Sequence, residues 1–417
     1  MPYINPDVVY YPKEAILQTA EKFETPFFLY SENRIRANCQ RFKNAFTKHF
    51  PDFWPLYAVK ANANPTVTQI IKEEGFDIDA SSESEVWLSE QLGLTGMFTG
   101  NYNPASELKY AKEAGFILNL DDVSMLDMLS EIGVPETLSF RINPGTGKST
   151  IESNLFSGPD AKYGIPFEKA SEAYQIAQEL GVKTFGIHIM TGSNVPLEDQ
   201  DYFANIVAKL LDIVAQIKKD TGIEISFLNM GGGFGVPYRP EEPSINIEQI
   251  ASSVRKSFDT KCQEHGIKEP RLIAEPGRYI TADAGWLVGT VNVIKDGYKK
   301  FVGLDAGSTD MPRPAIYGAY HHASIITDET ETETVSIVGR ICENSDQLAK
   351  DRLLPKAKVG DLAVIHNCGG HAFTMGHNYN GRPRSAEYLL QSSGEITQIR
   401  SAETINDLFR GTKHYQA

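Results

Sequence analysis

Cysteine is scarce in this sequence, with four cysteines among 417 residues. Cys39, Cys262, Cys342 and Cys368 are widely separated, and no two of them form a C-x-x-C pair. This spacing argues against a zinc site of the ribbon type and against a thioredoxin-like redox motif. Few cysteines in a long chain are also typical of proteins from a reducing compartment.

Basic charge and long apolar runs are also in short supply. The chain has 40 Lys and Arg against 54 Asp and Glu, so its formal net charge is −14. Because nucleic acids and anionic membranes attract basic surfaces, we expect neither as a partner. No apolar run has the length of a membrane span. The first residues, MPYINPDVVYYPKEAI, lack the basic start and apolar core of a signal peptide, so we expect a cytoplasmic protein.

The region from Trp54 to Ala274 alternates between short β-rich runs and amphipathic segments rich in Glu and Lys. Such alternation predicts parallel strands joined by helical crossovers. Eight strands indicate a closed (β/α)₈ TIM barrel more than an open doubly wound sheet. The predicted strands are WPLYAV (54–59), FDIDA (76–80), MFTG (97–100), ILNLD (117–121), LSFRI (138–142), FGIHIM (185–190), FLNM (227–230) and RLIA (271–274).

After residue 283 the pattern changes to strand-like runs separated by turns, without long helical segments. This is typical of a second, mainly β domain. The sequence therefore predicts a barrel domain over 30–283 and a C-terminal β domain over 284–417. We expect residues 1–29, which end near the strand-like run FFLY, to pack on the β domain.

Polar residues cluster at the expected carboxyl ends of the barrel strands, where such barrels place their chemistry. One is Lys60, which ends the apolar run WPLYAV. It is either a lysine that extends its charge to water or an amine held in an apolar site as a nucleophile. The others are Asp79, Arg141, His188 to Ser193, GGGFG at 231–235 and EPGR at 275–278.

The glycine-rich turns are compatible with a phosphate site, because glycine lets backbone N–H groups approach an anion closely. No Gly-Lys-Ser/Thr follows GGGFG, so it is not a P-loop. A lysine, a phosphate site and a carboxylate on one rim together suggest pyridoxal 5′-phosphate. Lys60 would hold its aldehyde as a Schiff base, and Glu275 would pair with its ring nitrogen. Taken singly, each residue is equally compatible with a tight turn, a strand-end cap or a surface ion pair.

Several motifs occur in an order that spans nearly the whole chain. They are YAVKAN (57–62), GGGFG (231–235), EPGR (275–278), LDAGSTDMPRPAIYGAYHH (304–322), CENSD (342–346) and NYNGRPRSAE (378–387). Together they resemble the fold-type III pyridoxal-phosphate decarboxylases, and within these the diaminopimelate decarboxylases. The resemblance implies a barrel of the alanine-racemase type with a β domain, and decarboxylation of meso-diaminopimelate to L-lysine in lysine biosynthesis.

The resemblance also implies roles for individual residues. Lys60 and Cys342 would be catalytic, with Cys342 as the acid that protonates the α-carbon. Cys342 and Glu343 would enter the active site of a neighbouring subunit, which implies a homodimer with shared sites. Arg278, Arg313, Tyr317, Glu343 and His371 would bind the substrate. The residues around the cofactor would be Lys60, Asp79, Arg141, His188, Met190, Ser193, Gly233, Gly235, Glu275, Gly277, Arg278 and His371.

Two positions depart from the family's usual pattern. Met190 stands where the family has a histidine stacked on the cofactor ring, and His188 is expected on the same strand face as Met190. A thioether can pack on an aromatic ring but carries no charge. His371 takes the place of a tyrosine.

We assign no metal, because His321 and His322 would face opposite sides of a strand.

The substrate is left open by these departures. The segment GTGKSTIESNLFSGPDAKYG (145–164) is expected to border the substrate, but its sequence does not indicate which substrate it prefers. Alternatives with the same chemistry are lysine or ornithine of either hand and carboxynorspermidine. An amino-acid racemase and a non-catalytic regulatory homologue are further alternatives, although Lys60 and Cys342 argue against the second.

Overall fold

The computed structural model describes residues 3–145, 156–195 and 201–413, with the backbone alone at 148–149. Contacts divide the chain into two compact units that alternate along the sequence. One, the β unit, comprises Met1–Arg36, Val236–Ser244 and Ile280–Ala417; the other, the barrel unit, comprises Ala37–Gly235 and Ile245–Tyr279. The domain limits expected from the sequence, 30–283 and 284–417, stay a prediction beside this division.

The barrel unit contains eight parallel strands that close into a barrel, which confirms the predicted (β/α)₈ fold. Neighbours in sequence pair in order, and Ile273 of the last strand pairs with Trp54 of the first. A short segment, Ile165–Pro166, adds to the fifth strand. The barrel strands are Trp54–Ala58, Asp77–Ala80, Gly96–Phe98, Ile117–Leu120, Thr137–Asn143, Thr184–His188, Ile225–Asn229 and Arg271–Ala274.

An apolar cluster fills the interior of the barrel. Leu56, Met97, Phe227 and Ile273 are buried against one another there. Gly186 makes room for the Phe227 ring, because a Cβ at Gly186 would lie 1.9 Å from that ring. Such a packed interior leaves the carboxyl ends of the strands as the place for a site.

The helices between the strands begin and end at residues that suit these positions. Asn64 and Ser82 accept backbone N–H bonds at the starts of two helices. Gly222 ends the longest helix in the left-handed conformation, with φ of +76°. The helices that lie wholly or partly in the barrel unit are Glu32–Thr47, Pro65–Glu73, Glu83–Gln91, Ala105–Glu113, Leu129–Ile132, Ala170–Glu179, Tyr202–Thr221, Ile247–His265 and Arg278–Thr281.

The β unit is built on a nine-stranded mixed sheet. Its N-terminal strand pairs antiparallel with Gly285–Asp296 and parallel with Ala386–Leu390. Phe27, Trp286 and Tyr388 form part of the apolar core on this sheet. Its strands are Phe27–Ser31, Gly285–Asp296, Lys300–Leu304, Ala323–Ile326, Thr332–Val338, Gln347–Pro355, Leu362–Ile365, Ala386–Leu390 and Ile396–Arg400, and its helices are Pro6–Val9, Lys13–Lys22, Arg313–Tyr317 and Ile405–Phe409.

Within the described ranges, no helix combines the length and apolar character that crossing a membrane requires.

Candidate active site

Strand alternation places a layer of polar side chains directly above the apolar interior of the barrel. Phe227 belongs to the interior cluster, and Asn229, two residues later on the same strand, ends that strand with its side chain bonded to Glu275. Residues two apart on a strand share a face. The same step leads from Ile117, which packs against this cluster, to Asn119 on another strand. The buried polar residues at this level are Asp79, Thr99, Asn119, Arg141, His188, Asn229 and Glu275.

Lys60 lies just beyond the first barrel strand, in the short helical turn Val59–Ala61. Its Nζ is 3.3 Å from Oδ2 of Asp79. The Lys60 side chain is 48% exposed, whereas that of Asp79 is fully buried. Burial alone would lower the pKa of Lys60, but the nearby carboxylates of Asp79 and Glu275 outweigh it and raise that pKa. The ammonium is thus accessible to a small molecule and is held at a defined place by a buried carboxylate.

Asp79 and Glu275 are two buried carboxyl groups with opposite pKa shifts. Burial, with the charge of Glu275, raises the pKa of Asp79 to about 6, although Lys60 and the Thr99 hydroxyl oppose this. Burial would also raise the pKa of Glu275, but His188 above all, then Lys60 and a hydrogen bond from Asn229, lower it overall. Glu275 is therefore the group that stays ionised in this site.

His188 links the Glu275 carboxylate to a neighbouring strand. Its Nε2 is 3.3 Å from Oε1 of Glu275, and its Nδ1 is 3.2 Å from Nδ2 of Asn119. His188 is the last residue of its strand. The expectation that Met190 lies on the same strand face is therefore wrong, because the strand has ended. Instead, Sδ of Met190 accepts the N–H of Gly232 at 3.3 Å.

The glycine-rich turn 231–235 requires glycine at specific positions. Gly231 and Gly233 have φ of +70° and +95°. A Cβ at Gly231 would lie 2.2 Å from the carbonyl oxygen of Ile189, and one at Gly233 would lie 2.7 Å from that of Gly192. Glycine is needed at these positions because two backbone segments approach closely there, and a side chain would push them apart.

Three further predicted residues lie beside this turn or at the following strand end. Nη2 of Arg278 is 3.5 Å from the hydroxyl of Ser193. A Cβ at Gly277 would lie 3.0 Å from Cβ of Ala61, in the turn that carries Lys60. The turn 231–235, Ser193, Gly277 and Arg278 are together called the glycine cradle below.

Arg141 also projects into the barrel mouth, where it is nearly fully buried. Its Nη2 donates to the carbonyl of Phe156 at 3.1 Å, and its guanidinium lies 4.4 Å from the centre of the Tyr163 ring. Burial lowers the pKa of Arg141, although the Asp121 carboxylate, 3.8 Å away, opposes this. Much of the segment 145–164 that was expected to border the substrate lies outside the described residues.

The remaining predicted residues belong to the β unit. Arg313, only 4% exposed, begins a short helix that ends at the partly buried Tyr317. Nη1 of Arg313 is 2.9 Å from the hydroxyl of Tyr238 and 2.7 Å from Nε2 of His321. Nδ1 of His321 faces the carbonyl of His366 at 2.8 Å, so Nδ1 carries the proton and Nε2 accepts from Arg313. The Tyr238 hydroxyl and neutral His321 therefore both help to orient this buried cation.

Cys342 and Glu343 lie in an exposed group with Tyr379 and Asn380, called the Cys342 group below. Sγ of Cys342 is 3.4 Å from Oδ1 of Asn380, and the Tyr379 hydroxyl donates to Oε1 of Glu343 at 3.0 Å. Hydrogen bonds to Cys342 and Glu343 raise the pKa of Tyr379 to about 12, so its hydroxyl keeps its proton.

His371 follows two glycines, Gly369 and Gly370, and has φ of +56°. A Cβ at Gly369 would lie 1.8 Å from the carbonyl oxygen of Thr281, so this segment passes close to another backbone segment of the β unit. His371 is therefore held in a left-handed backbone conformation, and this conformation determines the direction of its side chain.

The structure thus brings Lys60, Asp79, His188 and Glu275 together and places the glycine cradle at neighbouring strand ends. Sequence reasoning missed several residues that contact predicted site residues: Thr99, Asn119, Asp121, Asn229 and Tyr379. Strand alternation was the available signal for Asn119 and Asn229, since each lies two residues beyond an inward-facing position.

The chain belongs to the family of pyridoxal-dependent decarboxylases. The family model described as "Pyridoxal-dependent decarboxylase, pyridoxal binding domain" matches residues 32–282. The protein is therefore a decarboxylase, a carboxy-lyase that uses pyridoxal phosphate, and the predicted family and enzyme class are confirmed.

Individual relatives narrow this class. The chain is 39% identical over 402 residues to the diaminopimelate decarboxylase of Methanothermobacter thermautotrophicus, covering 95% of this chain and 93% of the relative. It is 35% identical to protein TabA of Pseudomonas amygdali pv. tabaci, covering 92% and 90%. The crystal structure of the M. jannaschii diaminopimelate decarboxylase in co-complex with L-lysine aligns with a TM-score of 0.87 and 32% identity, covering 96% and 94%.

The residues of the barrel mouth fit pyridoxal phosphate. Lys60 presents an accessible amine, as covalent attachment of an aldehyde requires. Glu275 is buried and ionised, as an acceptor for a protonated ring nitrogen requires. In the glycine cradle, Gly231 and Gly233 adopt positive φ, a conformation that suits an anion-binding turn.

Proposed function

We propose that this protein decarboxylates meso-2,6-diaminopimelate to L-lysine and carbon dioxide, with pyridoxal phosphate bound in the barrel mouth. The proposal is supported most by one observation: an accessible Lys60 is paired with buried Asp79 while Glu275 is kept ionised nearby. The names of the relatives suggest the substrate.

The residues of the barrel mouth bind and orient the reacting groups. Lys60 attaches the cofactor, and Asp79 holds the lysine in position. Ser193, Gly233, Gly235, Gly277 and Arg278 bind the phosphate through backbone N–H groups, a hydroxyl and a guanidinium. The ionised Glu275 accepts a hydrogen bond from the ring nitrogen and so favours its protonated form. When bound, pyridoxal phosphate accepts the electron pair that remains when carbon dioxide leaves.

Other predicted residues contact the cofactor or orient those that do. In this proposal, His188 orients Glu275 and Met190 contacts the glycine turn. Arg141 and His371 lie at the edges of the cofactor. These assignments follow from the family resemblance and, for His188 and Met190, from the contacts described above.

The substrate has carboxylates at both ends, and cationic side chains suit both. We assign Arg278, Arg313 and Tyr317 to carboxylate binding and Glu343 to the amine at the far end. Cys342 donates a proton to the α-carbon after the bond to the departing carboxylate breaks.

We also propose that the protein is a homodimer in which the Cys342 group completes the site of the partner subunit. The exposure of Cys342 and Glu343 supports this assignment, because a proton donor works best where water is excluded. A cytoplasmic location is supported by the four cysteines, which are all free thiols.

The test is release of carbon dioxide from a panel of amino acids by the purified protein with pyridoxal phosphate. We expect release from meso-diaminopimelate far above release from lysine, ornithine or carboxynorspermidine. Preference for one of the others would replace the proposed substrate, and no release from any would refute the function. Lys60→Ala should lose activity and the absorbance of bound cofactor, whereas the surface control Lys109→Ala should keep both.

A further inference from the structure

Asn229, Gly231 and Glu275 form a closed ring of three hydrogen bonds at the barrel mouth. The N–H of Gly231 donates to Oδ1 of Asn229 at 2.9 Å. Nδ2 of Asn229 donates to Oε1 of Glu275 at 2.7 Å, and the N–H of Glu275 donates to the carbonyl of Gly231 at 2.9 Å. Asn229 is 0% and Glu275 is 4% exposed, so water does not replace these bonds.

The orientation of the Asn229 amide follows from the chemistry of its partners. A backbone N–H only donates, so the Asn229 atom that faces Gly231 is the oxygen. Nδ2, which only donates, therefore faces Glu275, with a further contact to Sδ of Met97 at 3.3 Å. A donor at this place favours the ionised carboxylate, because a proton on Oε1 would face the amide hydrogen.

The other side of the ring positions the glycine turn. Gly231 is its first residue, has φ of +70°, and lies too close to Ile189 for any side chain. The hydrogen bond from its N–H to Asn229 fixes where the turn begins. One amide thus contacts both the start of the phosphate-binding turn and the carboxylate assigned to the ring nitrogen.

Other ionisable groups also face Glu275. His188 contacts it from a neighbouring strand, and Lys60, Asp79 and Arg141 interact with it electrostatically across the mouth. Glu275 and the glycine turn are linked in two ways: by the backbone bond between Glu275 and Gly231, and through the side chain of Asn229.

We propose that Asn229 is a positioning residue that holds Glu275 as a hydrogen-bond acceptor and places the glycine turn that binds the cofactor phosphate. This inference rests on the proposed roles of Glu275 and of the turn.

The variant Asn229→Asp tests it, because it keeps the shape and the acceptor for Gly231 but replaces the donor by an oxygen. Two facing carboxylates cannot both ionise readily, so they share a proton. We expect the acidic limb of kcat/KM to move to higher pH by about one unit or more. We expect the dissociation constant of pyridoxal phosphate, measured by titration of the apoprotein at neutral pH, to rise about five- to tenfold.

Two further variants separate positioning from general damage. Met97→Leu removes the sulfur contact but leaves the ring intact, so its pH profile and cofactor affinity should match the wild type. Asn229→Asp combined with Glu275→Gln reverses donor and acceptor, so cofactor affinity should return to within about twofold of the wild type. Activity should stay low in this double variant, because the charge of Glu275 is gone.

An unchanged pH profile and cofactor affinity in Asn229→Asp would overturn the proposal. So would weaker cofactor binding without any movement of the acidic limb, which a purely structural role predicts. If Asn229→Asp does not fold, recovery of folding and affinity in the double variant supports the proposal, and no recovery overturns it. If the wild type binds cofactor but releases no carbon dioxide, the proposed function fails, while cofactor titrations across pH still test Asn229.

Discussion

The barrel mouth and the Cys342 group bring similar polar side chains together in opposite environments. In the mouth, Asp79, His188, Asn229 and Glu275 are all nearly fully buried. In the Cys342 group, all four members are exposed. Burial above all raises the pKa of Asp79 to about 6, whereas hydrogen bonds to Cys342 and Glu343 are the main cause that raises the pKa of Tyr379 to about 12.

This difference shows that the barrel mouth is organised by the fold of one chain, whereas the Cys342 group is not enclosed by that chain. Buried polar groups must satisfy each other, so their geometry is fixed by the fold. Exposed groups exchange partners with water and are held more weakly. On the proposed function, the mouth is complete within one subunit, and the Cys342 group gains its enclosure from a second.

The largest expected effect concerns Cys342. We predict that Cys342→Ala lowers kcat by about 10²- to 10⁴-fold, as loss of a general acid does. Because Cys342 is exposed on the single chain, the free energy of unfolding of one subunit should change by less than about 0.5 kcal/mol. Steady-state kinetics and urea unfolding, with Cys262→Ala as a control, measure both. Full activity in Cys342→Ala would remove it from the mechanism.

Glu275 is the corresponding test for the mouth. Glu275→Gln keeps the shape and an acceptor for Asn229 but removes the charge. We predict a loss of kcat of about 10²- to 10³-fold, the usual effect of losing one electrostatic contact to the reacting system. The exposed control Glu113→Gln should match the wild type. A kcat within a few-fold of the wild type would show that the charge of Glu275 is not needed.

The proposed role of Arg313 in binding a substrate carboxylate gives the third test. Arg313→Lys keeps the charge but loses the planar fork that Tyr238 and His321 orient. We predict a KM for diaminopimelate about tenfold higher, since a hydrogen bond to a charged group is lost. Kinetics with Arg410→Lys, an exposed control, should be unchanged. An equal effect on a substrate with one carboxylate would contradict the assignment to the far carboxylate.

Substitution of Gly277 is expected to have the smallest effect on catalysis. An added Cβ would lie 3.0 Å from Ala61 and 3.1 Å from Ala58, which is tight but allows small shifts. We predict that Gly277→Ala lowers stability by about 1 to 3 kcal/mol and weakens cofactor binding. Gly297→Ala, whose added Cβ would lie at an ordinary contact distance of 3.8 Å from the carbonyl oxygen of Lys299, is the matched control. Equal melting temperatures and cofactor affinities in the two variants would refute this.

Much of this architecture was predictable from the sequence because its pattern is periodic. The eight strands were found since each is a short β-rich run between amphipathic segments, and Lys60, Asp79 and Glu275 lie at their carboxyl ends. The Asn229 amide bonds were not predictable, since an asparagine in a strand does not indicate its partners. The end of a strand at His188, two residues before Met190, was missed because the strand-like pattern of the sequence continues to Met190.

The central claim, that two subunits share each active site, is tested most directly by mixing two inactive variants. Lys60→Ala and Cys342→Ala are unfolded together, refolded and assayed for release of carbon dioxide from diaminopimelate. If subunits pair at random, half of the dimers are mixed and each has one intact site, so about a quarter of wild-type activity should return. No recovery, although mixed dimers form, would show that Lys60 and Cys342 act within one chain or not at all.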